Sequence, residues 1–199
     1  MSFWKVYLML GFEHLTDPNG YDHMLFLLAL AAPYLWFNWK SLLWLVTAFT
    51  LGHCLTLALA VLNVFRLDPT IVEIFIPITI LITAFLNVFF LVYKKSYKLY
   101  WKYAITTCFG LIHGLGFSSF FREMITDSME LVKALLAFNI GLEIGQILVL
   151  ALIVALSYLL HRIFKMDTQI FQWGYSILAI LISFHLLFGQ SGVISWCNC

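Results

Sequence analysis

Six apolar runs, each long enough to approach a bilayer crossing, constrain this chain more than any other feature: residues 22–38, 41–64, 70–93, 102–121, 131–161 and 168–189. A spanning helix needs about 20 apolar residues at a rise of about 1.5 Å each. The breaks carry helix punctuation: Asn38 to Ser41, Asp68 and Pro69, Lys94 to Lys102, Thr126 to Ser128, and Lys165 to Thr168. Connections this short place consecutive helices antiparallel in one bundle. The expected fold is all-α, a polytopic membrane bundle of six transmembrane helices in a single integral membrane domain over 1–199, with a homo-oligomer compatible with it. Residues 1–15 are apolar but short for a span, and are expected to form an interfacial or re-entrant half-helix.

Composition agrees. Hydrophobic residues are 63% of the 199 and charged residues 11%, more apolar surface than a water-soluble chain of this size can cover. The lipid bilayer is therefore the expected surroundings. A net charge of +1 without a dense basic run leaves nothing to attract a phosphate backbone, so nucleic acid is excluded as a partner. Cys54 and Cys108 lie inside apolar runs and Cys197 and Cys199 near the end of the sequence, which suggests no disulfide framework. Seven Lys and Arg fall on one side of the expected topology (Lys40, Lys94, Lys95, Lys98, Lys102, Arg162, Lys165) and four on the other (Lys5, Arg66, Arg122, Lys133). The richer side is expected to face the cytoplasm, with both termini outside.

Against this background the ionisable residues inside the runs stand out, because each costs on the order of 3 kcal/mol or more in hydrocarbon unless paired or bound. They are His53, Glu73, His113, Glu143 and His185, and the stretch before the first run adds Glu13, His14, Asp17, Asp22 and His23. Counting from the outer ends places Asp22 and His23 at the surface, Glu73 and His185 about one turn down, His113 about 12 Å down, and His53 and Glu143 about 16–18 Å down. Neutral imidazole and carboxylate at such depths suit a borderline divalent ion such as nickel, cobalt, zinc or iron. Asn139, Glu143 and Gln146, at i, i+4 and i+7, form one polar stripe. Gly110/Gly114 and Gly141/Gly145 bracket His113 and Glu143, and close packing at these glycines is expected to bring that imidazole and carboxylate together.

Five segments, GYDHMLFLLAL (20–30), FTLGHCLTLALA (49–60), VEIFIPITI (72–80), FGLIHGLGF (109–117) and FNIGLEIGQ (138–146), resemble the HupE/UreJ family of bacterial membrane proteins. The resemblance implies a six-helix permease of the bacterial inner membrane associated with nickel supply to hydrogenase or urease. It implies metal-handling roles for His14, Asp22, His23, His53, Glu73, His113 and Glu143, supported by Asn139 and Gln146; Cys54 stands where the family commonly has Ser. His185 joins the candidates from depth alone. The expected function is a permease for a divalent transition metal, nickel or cobalt first, reached from outside and driven by a gradient or potential, since no Walker motif is present. The alternatives are an intramembrane metal-dependent hydrolase or acyl-transfer enzyme acting on a lipid or lipidated substrate, with Glu143 or Glu73 as base to a metal-bound water, and a structural helper needing no metal.

Overall fold

Pro18 and Gly20 divide the first helical stretch in two, and that division places the site. A computed structural model describes residues 2–95, 98–125 and 130–189. Helix α1 (Phe3–Thr16) stops at Asp17, whose extended backbone (ψ 122°) is the conformation that a following proline favours. A single 3-10 turn (Pro18–Gly20) follows, and α2 (Tyr21–Ala31) restarts the helix. Then come α3 (Trp39–Val61), α4 (Pro69–Tyr93), α5 (Leu99–Gly116), α6 (Ser118–Met124), α7 (Leu131–Phe164) and α8 (Thr168–Gly189). Trp196, Cys197 and Cys199 lie outside the described residues.

Four of these helices, α3, α4, α7 and α8, are each long and apolar enough to cross a membrane, and α5 with α6, bent by 52°, makes a fifth crossing if taken as one. The chain is a multi-pass membrane protein with an apolar exterior, including Trp44, Leu51, Leu55, Leu152 and Leu181, and buried polar groups within, including Thr50, Thr79, Gln146, Ser176 and Ser183. That inversion is what lipid demands.

The expected first crossing over 22–38 is not a single helix. Its helical part is α2, 11 residues or about 16 Å, half a hydrocarbon core. The preceding half-helix α1 lies along α7, with Gly11 against the Phe138 carbonyl, Gly141 against the Leu8 carbonyl, and Leu15 against Gly145. Gly11 also faces Leu142, and the later Leu15 faces the later Gly145, so α1 and α7 run the same way. At its start the Tyr7 hydroxyl donates to the Met124 carbonyl at 3.3 Å. Beyond α2, the Lys102 ammonium lies 4.9 Å over the Tyr34 ring and the Trp36 ring 5.0 Å from that of His161. Met124 precedes α7 and His161 nears its end, so residues 3–38 run the length of the bundle in two helical pieces broken midway.

The glycine pairs do not pack on each other. Gly141 and Gly145 seat α1, whereas Gly110 and Gly114 seat α3, meeting the carbonyls of Phe49 and His53. Gly52 in turn meets the Thr107 carbonyl, and the Thr56 hydroxyl bridges to the Leu111 carbonyl at 2.7 Å. A side chain at Gly52, Gly110, Gly114 or Gly141 would collide with backbone. The parallel register that results, Phe49 beside Gly110 and His53 beside Gly114, sets His53 and His113 at one level.

Candidate metal centre

Four imidazoles converge where the first helical stretch is broken. His14 is on the last turn of α1, His23 on the first turn of α2, His53 on α3 and His113 on α5. Ring centroids are 4.7 Å apart for His14 and His23, 5.1 Å for His23 and His113, 5.9 Å for His14 and His53, and 6.0 Å for His23 and His53. Imidazoles sharing an ion at a metal–nitrogen distance of about 2.0–2.1 Å have centroids roughly 4.5–5.5 Å apart, a spacing met by the His14–His23 and His23–His113 pairs and exceeded by both His53 pairs. Asp22 joins them: ligand atoms of Asp22, His23 and His113 lie within 4.8 Å of one another. His53, His113 and His23 are 0%, 1% and 5% exposed, so the expected surface position does not hold for His23, while the Asp22 side chain keeps 23% of its exposure. The packing of α1 along α7 is what brings the His14 and His23 rings together.

The nitrogens are aimed for coordination. His23 Nδ1 is 3.2 Å from Asp22 Oδ1, and the carboxylate can only accept, so Nδ1 carries the hydrogen and Nε2 keeps its lone pair. On α4, Pro77 lies inside the continuous helix and lacks an N–H to donate, and the Thr79 hydroxyl donates to the Ile76 carbonyl at 2.7 Å. Its one hydrogen is thus used. Thr79 Oγ1 then accepts from His113 Nε2 at 3.0 Å, leaving Nδ1 as the free donor atom. His14 Nε2, His23 Nε2, both nitrogens of His53 and His113 Nδ1 are buried with no hydrogen-bond partner among the described residues. Buried polar atoms are rarely left so, and unpartnered imidazole nitrogens close together are chemically suited to a cation.

The surroundings favour a cation further. The C-terminal end of α1, with its carbonyl partial charge, points into the break, and Asp22 offsets the opposite end of α2. Phenylalanines wall the cluster: Phe117 is 4.0 Å and Phe138 5.8 Å from the His14 ring, and Phe26 and Phe49 are 5.4 Å and 5.1 Å from that of His113. Phe117 occupies the α5–α6 bend and stacks on Phe138 at 5.2 Å.

The other candidates stand elsewhere. Glu73 and His185 lie on exposed faces of α4 and α8. Glu143 accepts from the Thr47 hydroxyl at 2.8 Å, with Thr47 six positions before His53 on α3, so the expected meeting of His113 with Glu143 does not occur. Asn139 Nδ2 donates to Cys54 Sγ at 2.7 Å, and the Thr50 hydroxyl donates to Gln146 Oε1 at 2.6 Å. Thr79 went unnoticed in the sequence. Its signal was present, since it lies two positions after an intrahelical proline and starts the i, i+4, i+8 series Thr79, Thr83, Asn87. Asn87, in that series, donates to the Ala29 carbonyl at 2.7 Å and lines a cavity of about 320 Å³ with Thr83, Thr106, Asn38, Gln172 and Lys102.

No curated protein and no solved structure gives a significant match. The family described as HupE / UreJ protein matches residues 1–188; this chain belongs to that family.

Proposed function

We propose that the protein is a membrane permease for a divalent transition-metal ion, nickel or cobalt first and zinc next, held in passage by His14, His23, His53, His113 and Asp22. The observation that carries this reading is the convergence of three buried imidazoles, His23, His53 and His113, and the half-buried His14 at the break between α1 and α2. Discontinuous helices expose backbone ends at mid-membrane, where a transported ion must exchange water for protein ligands. The family membership supports transport, and imidazole with a single carboxylate suits the later first-row divalent ions.

The arrangement also supplies a path. Phe117 and Phe138 cover the cluster on the side where α5 ends and α7 begins. Below it, Thr79, Thr83 and Asn87 descend one face of α4 to the cavity of about 320 Å³. Lys95 and Lys102 line that cavity, and their charge prevents a dication from being retained there. The Lys and Arg distribution orients the cluster's Phe117 side outward and the lysine-lined cavity toward the cytoplasm of a bacterial inner membrane.

Proteoliposomes holding the purified chain, with an inside-negative potential, are expected to accumulate radioactive nickel or cobalt. His53→Ala should abolish uptake, and Asn87→Leu should slow it several-fold while equilibrium binding stays intact. Wild-type protein that binds the ion tightly yet moves none under any gradient would replace this reading with the metalloenzyme one.

A further inference from the structure

The cavity of about 320 Å³ is graded in chemistry from its mouth to its floor. Lys95 stands two positions past the end of α4 and Lys102 in the first turn of α5, so both ammonium groups are at the level where a bilayer keeps its headgroups. Asn87, six residues before the end of α4 and so about 9 Å deeper, and Thr106, one turn beyond Lys102, line the middle. Leu30, Leu45, Leu86, Ile105 and Phe109 supply apolar wall. No carboxylate is among the lining residues.

A lysine at a helix end ordinarily turns its ammonium to water. Lys95 is exposed and can do so, but Lys102 is half-buried, with its ammonium 4.9 Å over the ring of Tyr34, another lining residue. Its charge is therefore held at the cavity rather than outside it. Two cations at the mouth, amide and hydroxyl groups below them and apolar walls match an amphiphile with an anionic head, polar esters and a hydrocarbon chain. A free phosphate would meet the cations and leave the apolar walls bare, and a zwitterionic lipid would bring a cation of its own to them. Small-molecule sites begin at about 300 Å³, so this volume takes a headgroup and the first part of one chain, with the remainder in the bilayer.

We propose that this cavity is a binding site for an anionic phospholipid, with the headgroup phosphate between Lys95 and Lys102 and the start of one acyl chain against Leu86 and Phe109. The site does not depend on metal transport. Where the permease reading holds, its consequence falls on the ion's way out. One phosphodiester charge against two ammonium charges lowers the barrier to a departing dication and still leaves the cavity net positive, so the ion is not retained there.

Purified full-length protein in detergent is titrated with dihexanoyl phosphatidylglycerol or dihexanoyl phosphatidylcholine, and bound lipid is counted by native mass spectrometry, with inorganic phosphate as competitor. Wild type is expected to hold about one phosphatidylglycerol per chain, at least tenfold more tightly than phosphatidylcholine, and to keep it in excess phosphate. Lys95→Gln should weaken that binding about fivefold, and Lys95→Gln with Lys102→Gln by more than tenfold. The exposed position of Lys95 lets the single variant carry the test if the double one fails to fold. Lys165→Gln, at the same end of the bundle but outside the cavity, should change nothing. Equal binding of the two lipids by wild type, displacement by phosphate at equal concentration, or equal losses in Lys95→Gln and Lys165→Gln overturn the lipid site and leave the permease reading standing. Protein that binds phosphatidylglycerol as expected yet moves no metal overturns the permease reading alone.

Discussion

His113 has one ring nitrogen committed to Thr79 and the other free, and this fixes what the imidazole can offer an ion. Outer partners of metal-binding histidines typically account for a factor of 10–100 in affinity. Thr79→Val keeps the shape and removes the acceptor, so nickel affinity should fall by about that factor with little change in melting temperature. Isothermal titration and a thermal melt in detergent check the two together. Unchanged affinity would show that Thr79 does not set the tautomer. His14 and His23 are legible as residue types that metals prefer, but their depth is not. The sequence reading placed Asp22 and His23 at the surface because a polar stretch before an apolar run looks like a loop; Asp17 and Pro18 are indeed exposed, but the turn after them directs His23 inward against His14 and His113.

Helices pair here through glycines that only the partner explains. Gly110 and Gly114 admit the α3 backbone, and Gly174 on α8 has open space around it. Adding one methyl at Gly110 forces α5 away from α3, an overpacking cost of about 1–3 kcal/mol, and should lower both thermal stability and nickel affinity. Gly174→Ala should be silent in the same two measurements; equal effects would mean that the α3–α5 approach does not set the His53–His113 level. The glycine spacing was legible in the sequence as two close approaches, and so were five of the helices to within a few residues. Which helices the glycines join was not, because a small-xxx-small pattern states that a backbone comes near without saying whose. The first helix shows the same asymmetry: its apolar length was visible, but periodicity alone could not say whether α1 lies on the membrane or goes into it.

At the scale of the whole molecule, the permease reading needs the polar groups to make a path. The cluster sits between the phenylalanine cover at the α5–α6 bend and the cavity reached through Thr79, Thr83 and Asn87. Phe117→Ala should open that cover, and a membrane-impermeant thiol reagent should then react faster with a cysteine placed at His14 in the doubly substituted protein than in the His14→Cys protein alone. Equal rates would place the cover elsewhere. The family was legible from five sequence segments and is shown over residues 1–188. The broken helix that gathers His14, Asp22 and His23 to one point appears only when α1 is seen along α7. The account stands on those imidazoles holding a metal. X-ray absorption at the nickel edge, on purified protein loaded with one equivalent, measures this directly: the expected spectrum has a nitrogen and oxygen first shell with several imidazoles, reduced in His53→Ala and His113→Ala. A spectrum without imidazole scattering, or one unchanged in both variants, would contradict it.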